Sequence, residues 1–375
     1  MDIHEYAVRK KENMSRKFVL FSFIVMVGLL LAACAPATQP TAEAPVVSEP
    51  TEPAAPVEEE AAPADPGKLV IYSGRSEGLV APIIQQFADA TGIEVEVRYG
   101  STAEMAAALL EEGANSPADV FYAQDPGGIG AVEDAGLLAQ LPASILERVA
   151  PGYASPNGYW VGITARARIV VYNTEAINPA ELPADLRGFT APEWNGRIGV
   201  PPTNASFVTM VTAMRQLWGE DETRAWLEGI AANNPVYYSN NTGVVEAVAA
   251  GEVEVGFVNH YYLYRFLAEQ GEGYGARNHY LNNGGPDSLV MVSGAGILAS
   301  SQNQDNAQRF LQFMLSQVAQ QYFASSTYEY PLVEGVSTST LLVPLSELTT
   351  PDIAMGGLSD MSGSAAMIEE AGMVP

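Results

Sequence analysis

Residues 68–99 read KLVIYSGRSEGLVAPIIQQFADATGIEVEVRY and decide the fold class. The apolar run at 69–72 predicts a buried strand, and apolar residues at helical spacing follow it as far as Thr91-Gly92. Residues 93–99 alternate between apolar and charged side chains, which predicts a second strand. A helix that joins two strands in this way favours a crossover connection and a mostly parallel sheet.

The strand and helix pattern continues along the chain. Another helix and a buried strand at 118–122 complete a first α/β unit. A second unit begins with a strand at 197–200 and ends with a strand at 253–258. Strand-like segments at 167–172 and 288–292 are placed to connect the two units. Two such connections predict a hinged protein of two lobes, in which the cleft between the lobes is the default ligand site.

The first 67 residues differ in composition from the rest. A basic segment precedes a mostly apolar stretch at 18–31, which is shorter than the about 20 residues of a membrane span. The stretch ends in Leu31-Ala32-Ala33-Cys34, where small residues before a cysteine resemble the bacterial lipoprotein box. We expect residues 1–33 to be a signal peptide, with Cys34 as the lipidated residue. Residues 34–67, rich in proline and glutamate, predict a disordered tether.

Composition excludes several classes of function. The 375 residues include 18 Lys and Arg against 44 Asp and Glu, a net charge of −26, which argues against nucleic-acid binding. One cysteine and three histidines exclude a disulfide framework and a metal site built from several such ligands. Beyond the first 67 residues the only histidines that could serve as a catalytic base are His260 and His279, and the sequence has no P-loop or His-Glu-x-x-His motif; we therefore expect no enzyme.

Motifs across residues 68–375 resemble the ferric-iron-binding branch of the type II periplasmic binding proteins, the substrate-binding components of ABC importers. The motifs are Val70-Ile71-Tyr72-Ser73-Gly74-Arg75, Thr91-Gly92-Ile93-Glu94-Val95, the run SPADVFYAQD at 116–125, YWVG at 159–162, RARIVVYN at 166–173, NTGVVEAV at 241–248 and Val258-Asn259-His260-Tyr261-Tyr262. The paired tyrosines at a strand end are the most specific of them. The resemblance implies an α/β, two-lobe type II periplasmic-binding-protein fold with two hinge crossings and an interlobe cleft. We assign 68–168 plus 292–342 to lobe 1, and 169–291 plus 343–375 to lobe 2.

In this family, adjacent tyrosines bind Fe(III) through phenolate oxygens, and the matching residues are Tyr261 and Tyr262. Fe(III) is a hard ion that prefers oxygen ligands. A bound cation removes the proton of a phenol whose pKa is otherwise about 10. Neighbours in a strand point to opposite faces, so both can reach one ion only if the strand has ended before them. We interpret the other pair, Tyr237 and Tyr238, as structural.

Fe(III) with two phenolates retains one positive charge, and arginines beside it would repel an unaccompanied cation. The resemblance therefore implies an anion such as carbonate, phosphate or citrate, which suits the planar guanidinium of arginine. The candidate residues for binding the anion or lining the cleft are Arg75, Ser76, Gln124, Asn204, Ala205, Ser206, Asn241 and Asn259, and Arg166 and Arg168 are further candidates. The alternatives are a surface ion pair of Arg75 with Glu77 and a hinge ion pair for Arg168. His260 is expected beside the tyrosines without being a ligand.

The sequence departs from the family pattern at three positions. The turn at Arg75 has no histidine, Gln124 stands where some members have glutamate, and Ser206 stands where others have a third tyrosine. The matched residues therefore do not supply a six-oxygen shell for the metal.

The resemblance implies a monomeric, lipid-anchored protein of the cell envelope, periplasmic or extracellular, that delivers Fe(III) to an ABC permease and its ATPase subunit. In the alternative interpretation, the same fold binds a small organic or oxyanion solute, and Tyr261 and Tyr262 are aromatic walls of the cleft. An extracellular ligand sensor that docks on a receptor is also consistent with the sequence.

Overall fold

A computed structural model describes residues 66–373 of the chain. Its strands are β1 Lys68–Ser73, β2 Glu94–Tyr99, β3 Val120–Ala123, β4 Trp160–Asn173, β5 Ile198–Val200, β6 Val236–Tyr237, β7 Val255–Asn259, β8 Ala276–His279, β9 Val290–Ile297 and β10 Tyr330–Pro331. Its α-helices are α1 Glu77–Thr91, α2 Thr102–Glu112, α3 Pro126–Asp134, α4 Ala143–Leu146, α5 Ala205–Leu217, α6 Glu220–Ala232, α7 Asn241–Ala250, α8 Tyr261–Gln270, α9 Gln304–Met314, α10 Gln317–Tyr322 and α11 Met361–Glu370. A π-helix spans Phe323–Thr327, and a short 3-10 turn at Met355–Leu358 precedes α11.

The strands of residues 66–373 form one sheet in the order β2-β1-β3-β9-β4-β7-β5-β6, with β8 and β10 paired to β4. The predicted parallel crossovers are found at both ends, because β1 runs parallel to β2 and β3, and β5 runs parallel to β6 and β7. The centre differs from a mostly parallel sheet, since β4 is antiparallel to both of its neighbours in this order. The α/β class predicted from the sequence is correct.

The long strand β4 changes its partner in the middle of its length. It pairs with β9 from Trp160 to Ala167, and with β7 from Arg168 to Tyr172. The predicted connecting segments therefore lie largely in β4 and β9. The lobe boundaries that we assigned from the sequence stay a prediction.

Two groups of buried side chains fill the interior of the described region. One surrounds β1, β3 and β9 and includes Phe87, whose ring lies 5.3 Å from that of Phe310. The other surrounds α5, α6 and β7 and includes Phe189, whose ring lies 5.3 Å from that of Phe257. β4 contributes to both, through Trp160 to the first and Val170 to the second. This strand is thus the shared support for whatever lies between the two cores.

In residues 66–373 no helix has the length and apolar character needed to cross a membrane. The predicted signal peptide, the lipidated Cys34 and nearly all of the tether lie outside the described residues, so these interpretations stay predictions.

Candidate metal centre

The tyrosine pair lies at the point where a strand becomes a helix. β7 ends at Asn259 and α8 begins at Tyr261, so the two neighbouring rings are free of the alternation of a strand. The rings of Tyr261 and Tyr262 are stacked, with centroids 4.2 Å apart. Both side chains are buried, and the hydroxyl of Tyr261 has no hydrogen-bond partner. Burial raises the pKa of Tyr262 well above its ordinary value. Because the strand ends before the pair and the two rings are stacked side by side, the two phenols can face one ion.

Three arginines are fully buried around this pair. Arg75 follows β1, while Arg166 and Arg168 are two positions apart in β4 and share one face of that strand. Burial lowers the pKa of Arg168 to about 9, although both tyrosines oppose this change. Three guanidinium groups within one interior are costly unless anionic groups accompany them. The position of β4 at the centre of the sheet brings them together.

Glu329 is a functional candidate that the sequence did not reveal. Its carboxylate forms a short ion pair with Arg75, and its Oε2 lies 3.9 Å from Nη1 of Arg166. Arg75 therefore does not form the surface ion pair with Glu77 that we considered as an alternative. Burial alone would raise the pKa of Glu329, but the guanidinium groups of Arg75 and Arg166 hold it below its ordinary value.

Local backbone geometry places Glu329 inside the protein. A π-helix ends at Thr327, and Tyr328 has a φ of +58°, which is rare for a residue with a large side chain. Hydroxyls of Thr164 and Thr327 donate to the carboxylate at 2.5 Å and 3.1 Å. No sequence motif surrounds Glu329, so only its position in the fold identifies it.

Four of the predicted cleft residues form one network with Arg168. Its Nη1 donates to Oδ1 of Asn259 at 3.0 Å and to Oγ of Ser206 at 3.3 Å. Nδ2 of Asn241 donates to the same hydroxyl at 3.2 Å and to Oδ1 of Asn204 at 3.0 Å. Arg168 therefore forms no hinge ion pair, the alternative that we considered for it. The network joins the first turns of α5 and α7 to the end of β7, and helix N-termini favour anions.

Buried polar atoms without partners are concentrated in the same region. They include Nε and Nη1 of Arg75, all three side-chain nitrogens of Arg166, Nε of Arg168, Nε2 of Gln124, Nδ2 of Asn259 and the hydroxyls of Tyr122 and Tyr261. Native proteins pair most such atoms, so a concentration of unpaired donors indicates a polar ligand. Two acceptors of the region, Oδ1 of Asn241 and Oδ2 of Asp125, also lack a partner, but the unpaired donors outnumber them, which favours a ligand rich in acceptor oxygens.

The remaining predicted residues differ in their surroundings. Gln124 is buried, Ala205 is half-buried and Ser76 is exposed. Nδ1 of His260 accepts from the backbone N–H of Ala167 at 3.1 Å, and Nε2 lies 2.9 Å from the carbonyl oxygen of Tyr328. Both nitrogens of His260 are thus engaged by backbone groups. Within residues 66–373 there is no group of three or more His, Cys, Asp or Glu residues that could hold a metal ion.

The fold and the match to a family model identify a solute-binding protein. The chain matches the family described as bacterial extracellular solute-binding protein over residues 72–321 and belongs to that family. Its fold is the two-lobe α/β fold of the periplasmic binding proteins.

Individual relatives point to a narrower group. The chain is 36% identical to the Fe(3+)-binding periplasmic protein of Serratia marcescens, over 84% of this chain and 93% of the relative. It is similar in structure to iron-bound HitA from Pseudomonas aeruginosa, with a TM-score of 0.78, 38% identity and coverage of 81% and 99% of the two chains. It is also similar to Trichodesmium IdiA (FutA) in complex with iron and citrate, with a TM-score of 0.70, 26% identity and coverage of 82% and 99%.

Proposed function

We propose that this protein captures Fe(III) with a synergistic anion in the interlobe cleft, as the substrate-binding component of an ABC importer. The stacked, buried pair Tyr261 and Tyr262 beside three buried arginines is the observation that carries the proposal. The names of its relatives support the cargo, since one is a Fe(3+)-binding protein and another contains iron and citrate. Binding requires no covalent chemistry.

The proposed roles follow from the charges of the side chains. Tyr261 and Tyr262 supply phenolate oxygens, which a hard trivalent ion prefers and whose protons it displaces. The anion lies between the metal and the guanidinium groups, where it accepts the hydrogen bonds that Arg75, Arg166 and Arg168 leave unmade. It also completes a metal shell that the matched residues do not fill.

The proposed cellular arrangement rests on the sequence and the family. We propose a lipid on Cys34, a disordered tether over 34–67, and delivery of the cargo to a permease and its ATPase subunit. The lobes that close on the cargo are those assigned from the sequence, with boundaries near 168 and 292.

A visible absorption titration with ferric iron tests the proposal. Purified protein in bicarbonate or citrate should develop a phenolate-to-iron band that saturates at one equivalent. Tyr261→Phe plus Tyr262→Phe should abolish the band. The matched control is Tyr237→Phe plus Tyr238→Phe, which alters a half-buried pair whose Tyr237 hydroxyl donates to Gly372, and it should leave the band unchanged.

The second candidate function is capture of a small organic or oxyanion solute by the same cleft. The unpaired donors of Arg75, Arg166 and Asn259 favour such a ligand even without a metal. In the outcome that favours it, the protein develops no colour and retains no iron after dialysis, while citrate or phosphate alone raises its melting temperature. That result would replace Fe(III) capture with solute capture as the proposed function.

A further inference from the structure

Glu329 holds two arginines but offers nothing to a metal. Its Oε1 contacts Arg75 and Thr327, and its Oε2 contacts Thr164 and lies near Arg166. Ser293 further supports Thr164 through a hydroxyl contact of 2.8 Å. Both carboxylate oxygens are thus engaged by protein groups, and the side chain is fully buried. Glu329 therefore acts as a fixed negative charge beside the site.

The side chains around the carboxylate of Glu329 carry more positive than negative charge. Glu329 pairs with Arg75 and Arg166, while the buried Arg168 donates to neutral groups, so the three guanidinium groups exceed this carboxylate by two positive charges before any metal binds. Beside the two proposed metal ligands, the titratable groups near them include Asp125, Tyr122, Tyr322 and His260. Tyr122 and His260 are neutral near pH 7, and Asp125 removes one positive charge where it is ionised. Fe(III) with two phenolates adds one positive charge.

We infer that the buried triad Arg75–Glu329–Arg166 is a specificity determinant that sets how many negative charges the synergistic anion must carry. The inference rests on the proposed ferric function. In the wild-type protein the surplus selects anions of two or three charges over monoanions. Arg166 is the member that faces the anion, because all three of its nitrogens lack a hydrogen-bond partner. Glu329 is the member that limits the surplus.

Opposite charge changes at the triad test the inference. Glu329→Gln removes a negative charge at nearly unchanged side-chain size, so the net charge of the site rises by one. Arg166→Gln removes a positive charge, so the net charge falls by one. Apparent affinities for Fe(III) are measured from the phenolate band in oxalate, which carries two charges, and in citrate, which carries three. The free anion also competes with the protein for Fe(III) in solution. This competition is the same for wild type and for each variant, so it cancels when they are compared.

The expected result is a shift of the citrate-to-oxalate affinity ratio in opposite directions. Glu329→Gln should raise the ratio about tenfold and Arg166→Gln should lower it about tenfold, as expected for one buried charge near the anion. A simple loss of packing would weaken both complexes alike and leave the ratio unchanged.

The outcomes separate the two proposals. Absence of a phenolate band in the wild-type protein with either anion overturns the ferric function itself. A normal wild-type band, with ratios in both variants within twofold of wild type or shifted in the same direction, overturns only the role of the triad. Breaking a buried ion pair can prevent folding. If Glu329→Gln does not fold, a lowered citrate-to-oxalate ratio in Arg166→Gln supports the role of the triad, and an unchanged or raised ratio overturns it.

Discussion

At the scale of single residues, His260 illustrates how a polar side chain can be structural beside a binding site. It accepts from the backbone of β4 and contacts the carbonyl oxygen of Tyr328, while its ring stacks on Tyr330 at 4.7 Å. Since Nδ1 accepts a hydrogen bond, the proton of the neutral ring is on Nε2, where it donates to Tyr328. His260 thus ties the start of α8 to the segment that carries Glu329.

This arrangement predicts a dependence of stability on pH. Burial lowers the pKa of His260 from 6.5 to about 4, so the unfolded chain binds a proton at a higher pH than the folded protein does. The stability contributed by neutral His260 is complete above pH 6.5 and is lost as the pH falls from 6.5 toward 4. The loss should approach about 1.4 kcal/mol per pH unit in this window.

Urea unfolding of the metal-free protein measures this contribution. The free energy of unfolding of wild type relative to His260→Gln should fall by about 2 kcal/mol between pH 7 and pH 4.5. The comparison cancels the carboxylates, which titrate in both proteins. His279→Gln is the control at a half-buried histidine, and its difference from wild type should vary less with pH. A difference at His260 that is constant with pH would contradict this account.

At the scale of elements, the first turn of α3 depends on glycine. Asp125 caps this helix by accepting from the N–H of Gly128 at 3.1 Å, and the same oxygen accepts from Thr209 of α5 at 3.2 Å. A Cβ on Gly127 would lie 2.7 Å from the carbonyl oxygen of Leu358, which belongs to the segment before α11. The close approach of three chain segments therefore excludes a side chain here, and α3 lies against the C-terminal segment.

Two glycine substitutions at equivalent helix positions test this packing. Gly127→Ala should lower the free energy of unfolding by about 1–3 kcal/mol, because the contacting atom is backbone and cannot rotate away. Gly78→Ala, at the second residue of α1, meets no atom within 4 Å and should raise stability by up to about 1 kcal/mol. Chemical denaturation of both variants measures the two effects. Equal effects of the same sign would rule out the packing explanation.

At the scale of the whole molecule, β4 is the element that unites the protein. It lies between β9 and β7, contributes side chains to both cores and carries two of the buried arginines. A ligand that contacts Arg166 or Arg168 therefore acts on the strand shared by both cores. This placement suits a binding protein in which ligand capture and movement of the lobes are coupled.

The proposed lipid anchor on Cys34 gives a prediction at the same scale. Cys34→Ser should abolish incorporation of labelled palmitate and move the protein from the detergent phase to the aqueous phase in a detergent-partition assay. Ala35→Ser, which alters the next residue and leaves the cysteine, should behave as wild type. A detergent-phase protein in the Cys34→Ser variant would instead indicate that the apolar segment at 18–31 remains as an anchor.

The sequence alone determined the features that depend on neighbours along the chain. Periodicity identified the α/β class and both parallel crossover units, and the strand was expected to end before Tyr261, the condition under which Tyr261 and Tyr262 could reach one ion. The residues Asn204, Ala205 and Ser206 at the start of α5 were recognised from the local pattern, whereas Asn241 was recognised through the resemblance to the family. Helix and strand periods, caps and motifs are local, so a single sequence displays them directly.

Only the tertiary structure decided which distant charges meet. Arg75 and Glu329 are separated by 254 positions, and neither lies in a motif that refers to the other. The antiparallel centre of the sheet was likewise missed, because strand order depends on how units assemble and leaves no mark on local periodicity. The buried ion pair exists because β1, β4 and the π-helix converge, and the low dielectric interior of the protein makes that convergence decisive for charge.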